Sequence, residues 1–116
     1  MSISRIGGTS RYSDSVVHNG VAYFSGIVPT VNGTLYAQTK EVLSLLDTQL
    51  ASVGSSKNDI LSMTIYLIDA GQYDSMNRAY DEWIGSVAPA RATIGVFTLP
   101  NPMWKIELVV VAKVMV

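Results

Sequence analysis

Apolar and polar positions change rhythm several times along the chain. Val16-Val17-His18 and Val21-Ala22-Tyr23-Phe24 are β-prone runs on either side of Asn19-Gly20. That dipeptide tolerates the left-handed backbone a tight turn needs, so it predicts a hairpin with an antiparallel strand on each side. A second turn at Val31-Asn32-Gly33-Thr34 precedes a helical pattern in which Leu35, Val42, Leu46, Leu50 and Val53 share one face, with Gly54 as its stop. Residues 60–68 are β-branched and apolar, and Asp69-Ala70-Gly71 breaks that strand. A second helix carries Tyr73, Met76, Tyr80, Trp83 and Ile84 on one stripe, read as core. Residues 92–98 and 104–114 supply two closing strands, separated by Leu99-Pro100-Asn101-Pro102, where the prolines exclude regular ladder pairing.

The predicted order is β-β-β-α-β-α-β-β, an α+β sandwich in a single domain over residues 1–116. Two helices cover only one face of so wide a mixed sheet. The other face, carrying Val, Ile and Tyr side chains, is expected to meet other subunits. Composition strengthens that expectation: 48% of the 116 residues are apolar and 15% charged, more hydrophobic surface than a small monomer can hide. A net charge of −1 and a pI near 5.6 lack the positive field that nucleic-acid binding requires, so no nucleic-acid partner is expected. Short apolar runs such as Leu108-Val109-Val110-Val111 fall far below a membrane span, and no membrane association is expected. The opening residues lack the apolar core of a signal peptide, and cysteine is absent, so the reading is cytoplasmic.

The familiar catalytic spacings are missing, from nucleophile elbows to phosphate-binding glycine loops and paired-histidine zinc motifs. With one histidine and scattered carboxylates, no metal ligand set is recognisable. His18, beside the hairpin turn, reads as a solvated turn residue. Arg91 and Glu107 stand out because each interrupts a neutral β segment, and a charge placed there is costly unless paired or used. They read either as a structural Arg–Glu pair or an exposed strand edge, or as a site for a small carboxylic acid. In the second case Arg91 offers a planar fork to a carboxylate and Glu107 holds water or moves a proton.

An ordered set of short motifs bears on this choice. Tyr12-Ser13, Tyr23-Phe24-Ser25-Gly26 followed by Pro29, Met76-Asn77-Arg78-Ala79-Tyr80, Pro89-Ala90-Arg91-Ala92-Thr93 and Lys105-Ile106-Glu107 together resemble the reactive intermediate deaminase family (RidA, also called YjgF). The resemblance spans nearly the whole chain. It implies a chorismate-mutase-like α+β fold assembled as a homotrimer with clefts between neighbouring subunits. It also implies hydrolysis of reactive 2-imino or 2-enamino acids, such as 2-aminoacrylate and its imine, to 2-keto acids and ammonia without a cofactor.

Carried over position by position, Arg91 resembles the arginine that grips the substrate carboxylate, and Glu107 the acid that positions water and manages its proton. Tyr12 would close the cleft, Gly26 would leave room for the ligand, and Thr93 would offer main-chain groups. Taken as ordinary structure, Tyr12 is subunit packing, Gly26 a bulge or turn residue, and Asn77 a helix residue bonding a nearby loop. Gly26 is followed by Ile27-Val28-Pro29 rather than the family's Gln-Ile-Pro. The stretch from Asn77 to Arg91 is short, and Asn101-Pro102-Met103-Trp104 adds a residue, so the resemblance is to a divergent branch. The alternative function is a non-catalytic trimer that binds small 2-keto acids or related carboxylates. The endoribonuclease reading attached to some relatives is disfavoured by the charge balance and the single histidine.

Overall fold

The computed structural model describes residues 2–114. Asn19 and Gly20 both adopt positive φ, at 53° and 76°, which is the geometry of a two-residue hairpin turn. They join strand β2 (Ser15–His18) to β3 (Val21–Phe24) in antiparallel register, and β1 (Ser4–Ile6) pairs along the outer side of β2. Helix α1 (Leu35–Ser52) follows, then β4 (Ile60–Leu67), α2 (Tyr73–Ile84), β5 (Ala90–Gly95) and β6 (Ile106–Lys113), with single 3-10 turns before β4 and α2. The expected element order is therefore present, with the last two strands displaced. β5 begins two residues earlier than the 92–98 reading and stops at Gly95, while β6 begins at Ile106 because Trp104 belongs to the preceding turn.

The strands form one six-stranded sheet in the order β1-β2-β3-β6-β4-β5. All neighbours are antiparallel except β4 and β5, whose parallel pairing is the outcome of the α2 crossover. β6 thus runs through the middle of the sheet and β5 lies at its edge.

Both ends of α1 are set by chemistry visible in the sequence. Thr34 accepts a hydrogen bond from the Ala37 N–H at 3.1 Å, capping the first turn. At the other end Gly54 takes a positive φ while its N–H reaches Ala51 and that of Ser55 reaches Leu50, a Schellman stop. Leu35, Val42, Leu43, Leu46 and Leu50 are buried against the alternate residues of the sheet, among them Ala22, Phe24, Met63, Ile65, Ile106, Leu108 and Val110. Both helices share this core, α2 contributing Met76, Tyr80 and Ile84. Among the described residues nothing covers the opposite sheet face, and Tyr23, Ile94 and Val109 lie exposed on it.

Two polar residues of α1 are buried with its apolar stripe: Thr39, whose hydroxyl donates to Leu35 O one turn back at 2.7 Å, and Gln38. Gln38 is fully buried, and its amide nitrogen donates to Val31 O at 3.2 Å and Met103 O at 3.0 Å, while its oxygen accepts from Lys105 N at 2.9 Å. The side chain ties the loop after β3 and the approach to β6 onto the first turns of α1. Lys105 adds a bond from its ammonium to Gly33 O. Replacing Gln38 by leucine keeps volume but orphans two carbonyls and an N–H, at about 1–3 kcal/mol for each group left dry. Gln38→Leu is expected to lower unfolding free energy by about 3 kcal/mol or more in urea titration; a change below about 0.5 kcal/mol would show that these groups find other partners.

Candidate functional site

β6 alternates its side chains between the core and the uncovered face, with Ile106, Leu108, Val110 and Ala112 turned inward. Glu107 therefore turns outward, opposite Tyr66 of β4. Beside it, the chain leaving β3 makes a reciprocal bridge, Ile27 N–H to Leu108 O at 2.8 Å and Leu108 N–H to Ile27 O at 3.0 Å. That bridge brings Gly26 against the Glu107 carboxylate. A β-carbon at Gly26 would lie 2.0 Å from Glu107 Oε2, so the absence of a side chain makes the notch in which the carboxylate rests.

Tyr12, Ser25, Gly26, Val28, Pro100, Trp104 and Glu107 together line an open cavity of about 390 Å³. Its wall is pinned where Ser25 Oγ donates to Ser13 O at 2.5 Å and Ser25 N–H bonds Asp14 O. Tyr12 is more than half exposed at the rim. Partial burial pushes the Glu107 carboxyl above its ordinary value, and among the described residues no basic group lies within ion-pair distance of it.

Arg91 lies elsewhere. It sits opposite Met63 in the β4–β5 pairing, which places it on the helix-covered side at the sheet's edge, whereas Glu107 opposite Tyr66 is on the uncovered side. Arg91 Nη1 donates to Asn77 Oδ1 at 2.8 Å and Nη2 to Tyr73 Oη at 3.0 Å, and the guanidinium carbon lies 4.6 Å from the centre of the Tyr80 ring. Thr93, two residues along the same edge strand, carries a buried hydroxyl with no hydrogen-bond partner.

A structural Arg91–Glu107 pair is thus excluded within one chain. Tyr12, Gly26 and Glu107 come together at one cavity, while Arg91 and Thr93 form a second group beside α2. Asn77 is half-buried and bonds Arg91 on a strand rather than a loop. His18 is a half-buried strand residue whose Nδ1 lies 3.2 Å from Ser2 O.

Tyr73 corrects the reading of the α2 stripe as uniformly core: it is 43% exposed, in a first turn where Asp74 is exposed as well, and its hydroxyl serves Arg91. The neighbouring Asn77 side chain and then the Arg91 charge hold that phenol below its ordinary value of 10. Three contributors escaped the sequence reading. Gln38 was signalled by an amide in an apolar stripe, whereas Pro100 and Trp104 gave no signal, since the folding of the irregular loop before β6 brings them beside Glu107. Among the described residues no group of three or more His, Asp or Glu side chains could hold a metal ion, and no helix is long and apolar enough to cross a membrane.

A small α+β domain with an uncovered sheet face and two separated polar groups, one anionic and one cationic, is the class these features define. Residues 2–114 match the family model described as Endoribonuclease L-PSP. A RutC family protein of Haemophilus influenzae is 45% identical over 115 residues, covering 97% of this chain and 98% of that protein. The RutC family protein YoaB of Escherichia coli is 37% identical, covering 98% and 100%. A crystal structure of a YjgF family member from Neisseria meningitidis superposes with a TM-score of 0.95 at 39% identity, covering 99% of this chain and 97% of that one. The chain belongs to this L-PSP, RutC and YjgF (RidA) family and has its chorismate-mutase-like fold.

Two consequences of the Glu107 notch are measurable. Gly26→Ala is expected to fold with its melting temperature within about 3 °C of wild type, since the atom displaced is the free end of a side chain, and to swing the carboxylate out of the notch. A crystal structure of the variant with Glu107 unmoved would contradict this. Because the folded chain raises the Glu107 value, its contribution to stability is full below the ordinary value of 4.5 and is lost as pH rises through the folded value. Glu107→Gln is therefore expected to raise the melting temperature at about pH 7 and to leave it unchanged at about pH 3.5; a gain independent of pH would show that charge burial is not its source.

Proposed function

We propose that the protein hydrolyses small 2-imino acids, and the 2-enamino acids that tautomerise to them, to 2-keto acids and ammonia. The reaction would take place at clefts between the subunits of a homotrimer. The observation that carries this reading is the placement of Arg91 and Glu107: two charged residues in family positions, unpaired with each other, on opposite sides of one sheet. In this reading a second copy covers the apolar sheet face and meets the β5 edge, from which Arg91 reaches the neighbour's Glu107 cavity.

In the proposed site Arg91 binds the substrate carboxylate through two parallel N–H bonds, and Thr93 on the open edge strand offers main-chain groups beside it. Tyr12 and the Gly26 notch bound the space across from it. Glu107 takes a proton from water as the oxygen attacks C2. The C=N electron pair moves to nitrogen, which takes that proton back from Glu107, giving a carbinolamine. Glu107 next accepts the hydroxyl proton and passes it to the amine nitrogen, so that the C–N bond breaks, ammonia leaves with the bonding pair, and the C=O bond of the keto acid forms. Glu107 ends as it began. A carboxyl whose proton affinity is raised by desolvation suits both halves of this cycle better than an ordinary one, because it accepts the proton more readily before returning it. No step calls for a cofactor.

The nuclease activity in the family's description belongs to that description. On this chain, the net charge of −1 and a single histidine whose Nδ1 lies against the Ser2 carbonyl favour a small anionic substrate over a polyanion.

The test generates 2-iminopropionate and 2-iminobutyrate in situ and follows keto-acid release. Wild type is expected to accelerate release of both, and Arg91→Ala to reduce kcat/KM by at least about 100-fold, the scale of losing a bidentate charged anchor. Coincident curves for wild type, variant and no protein would sink the reading. Saturable binding of 2-ketobutyrate without turnover would instead make the protein a carboxylate-binding trimer. Light scattering is expected to give three copies at micromolar concentration; a monomer would remove the neighbour that the site needs.

A further inference from the structure

Tyr73, Asn77 and Tyr80 occupy positions i, i+4 and i+7 of α2, so they form a single stripe along the helix. That stripe meets Arg91 from three directions. Asn77 Oδ1 accepts from one terminal nitrogen, Tyr73 Oη accepts from the other, and the buried Tyr80 ring supports the guanidinium at 4.6 Å. Asn77 and Tyr80 hold Arg91 from within the fold. Tyr73 approaches from the solvent side and is the exposed member of the set.

An arginine side chain on an edge strand carries about 2 kcal/mol of rotamer entropy, and a planar fork reads a carboxylate only when its plane is fixed. The Asn77 bond alone leaves the fork free to pivot about one nitrogen. A second bond at the other nitrogen stops that pivot. Each terminal nitrogen carries two hydrogens, so the clamp consumes one from each and leaves one on each for a ligand.

We propose that Tyr73 is a positioning residue for the carboxylate anchor: its hydroxyl fixes the outer nitrogen of Arg91, so that the guanidinium presents a preformed pair of N–H donors to a small 2-keto or 2-imino carboxylate. This rests on the carboxylate-binding role given to Arg91 in the proposed function. It assigns to Tyr73 a share of ligand affinity rather than of bond making, and so predicts an effect on KM and on equilibrium binding with kcat spared.

Equilibrium binding of 2-ketobutyrate, measured by calorimetry on the full chain, separates the two ideas because it needs no turnover. Tyr73→Phe keeps the ring and removes only the hydroxyl. It is expected to weaken 2-ketobutyrate binding about five- to tenfold, the scale of one charge-assisted hydrogen bond. KM for 2-iminobutyrate should rise by a like factor, kcat should stay within about twofold, and the melting temperature within about 2 °C. In an Arg91→Lys background the same change should alter binding by less than about twofold, because a single ammonium cannot be held at two nitrogens.

Wild-type affinity in Tyr73→Phe would overturn the positioning role and leave the deaminase reading standing. Weakened binding in a protein that hydrolyses neither imine would support the role of Tyr73 and sink the deaminase reading. A loss of kcat at unchanged KM would overturn the proposal, since it would place Tyr73 in the bond-making step. Wild type that binds no 2-ketobutyrate would leave no anchor to position, and both would fall.

Discussion

Strand alternation separates the two charged groups of this chain, and the remaining functional geometry follows from that separation. Arg91 shares a face with Met63 and Glu107 shares the other with Tyr66, so no side-chain motion can pair them through the sheet. Each has instead its own surroundings. The guanidinium is held by an amide, a phenol and an aromatic ring, which orient it without neutralising it. The carboxylate is held by a missing side chain, the Gly26 notch, and by partial burial, which raises its proton affinity without supplying a counter-charge. The proposed site takes Arg91 and Glu107 from two copies, and the uncovered face bearing Tyr23, Ile94 and Val109 would supply the hydrophobic reason for their association.

The fold serves this arrangement by fixing where β6 runs. Its buried residues Ile106, Leu108 and Val110 pack under α1, and Gln38 ties the loop after β3 and the segment leading into β6 to the same helix through three hydrogen bonds. The Ile27–Leu108 bridge then sets the distance between Gly26 and Glu107. A buried amide with all three bonds made adds specificity to an otherwise apolar interface, because any shift of the 103–105 segment along α1 would leave those groups unpaired. Local stability and the shape of the cavity are thus linked through a residue that does not line it.

Most of the architecture was legible in the chain itself. Asn19-Gly20 announced the hairpin, Thr34 and Gly54 bounded α1, and Val42, Leu46 and Leu50 marked its inner face; all depend on neighbours close in sequence. The boundaries of β5 and β6 were less legible, since a strand's ends depend on its partner: β5 stops where β4 stops, and Trp104 is drawn into a turn by its bond to Asn101 O. The candidate site was legible as residue types but not as geometry. Periodicity placed Tyr73 on a core stripe without revealing that the helix's first turn is exposed. It also could not show that Arg91 and Glu107 have opposite facing, because that depends on register with β4. Pro100 and Trp104 reach the Glu107 cavity only through the folding of a loop whose sequence marks it merely as irregular.

The central claim, that one site draws Arg91 from one copy and Glu107 from its neighbour, is tested most directly by subunit complementation. Arg91→Ala and Glu107→Gln proteins, each inactive alone on 2-iminobutyrate, would be unfolded together at equal concentration and refolded, with wild type carried through the same cycle. The account predicts recovery to about a quarter of wild-type activity, the chance that adjacent copies pair an intact Arg91 with an intact Glu107. A refolded mixture that assembles as wild type does yet stays as inactive as its components would place both groups in one chain's site and contradict it.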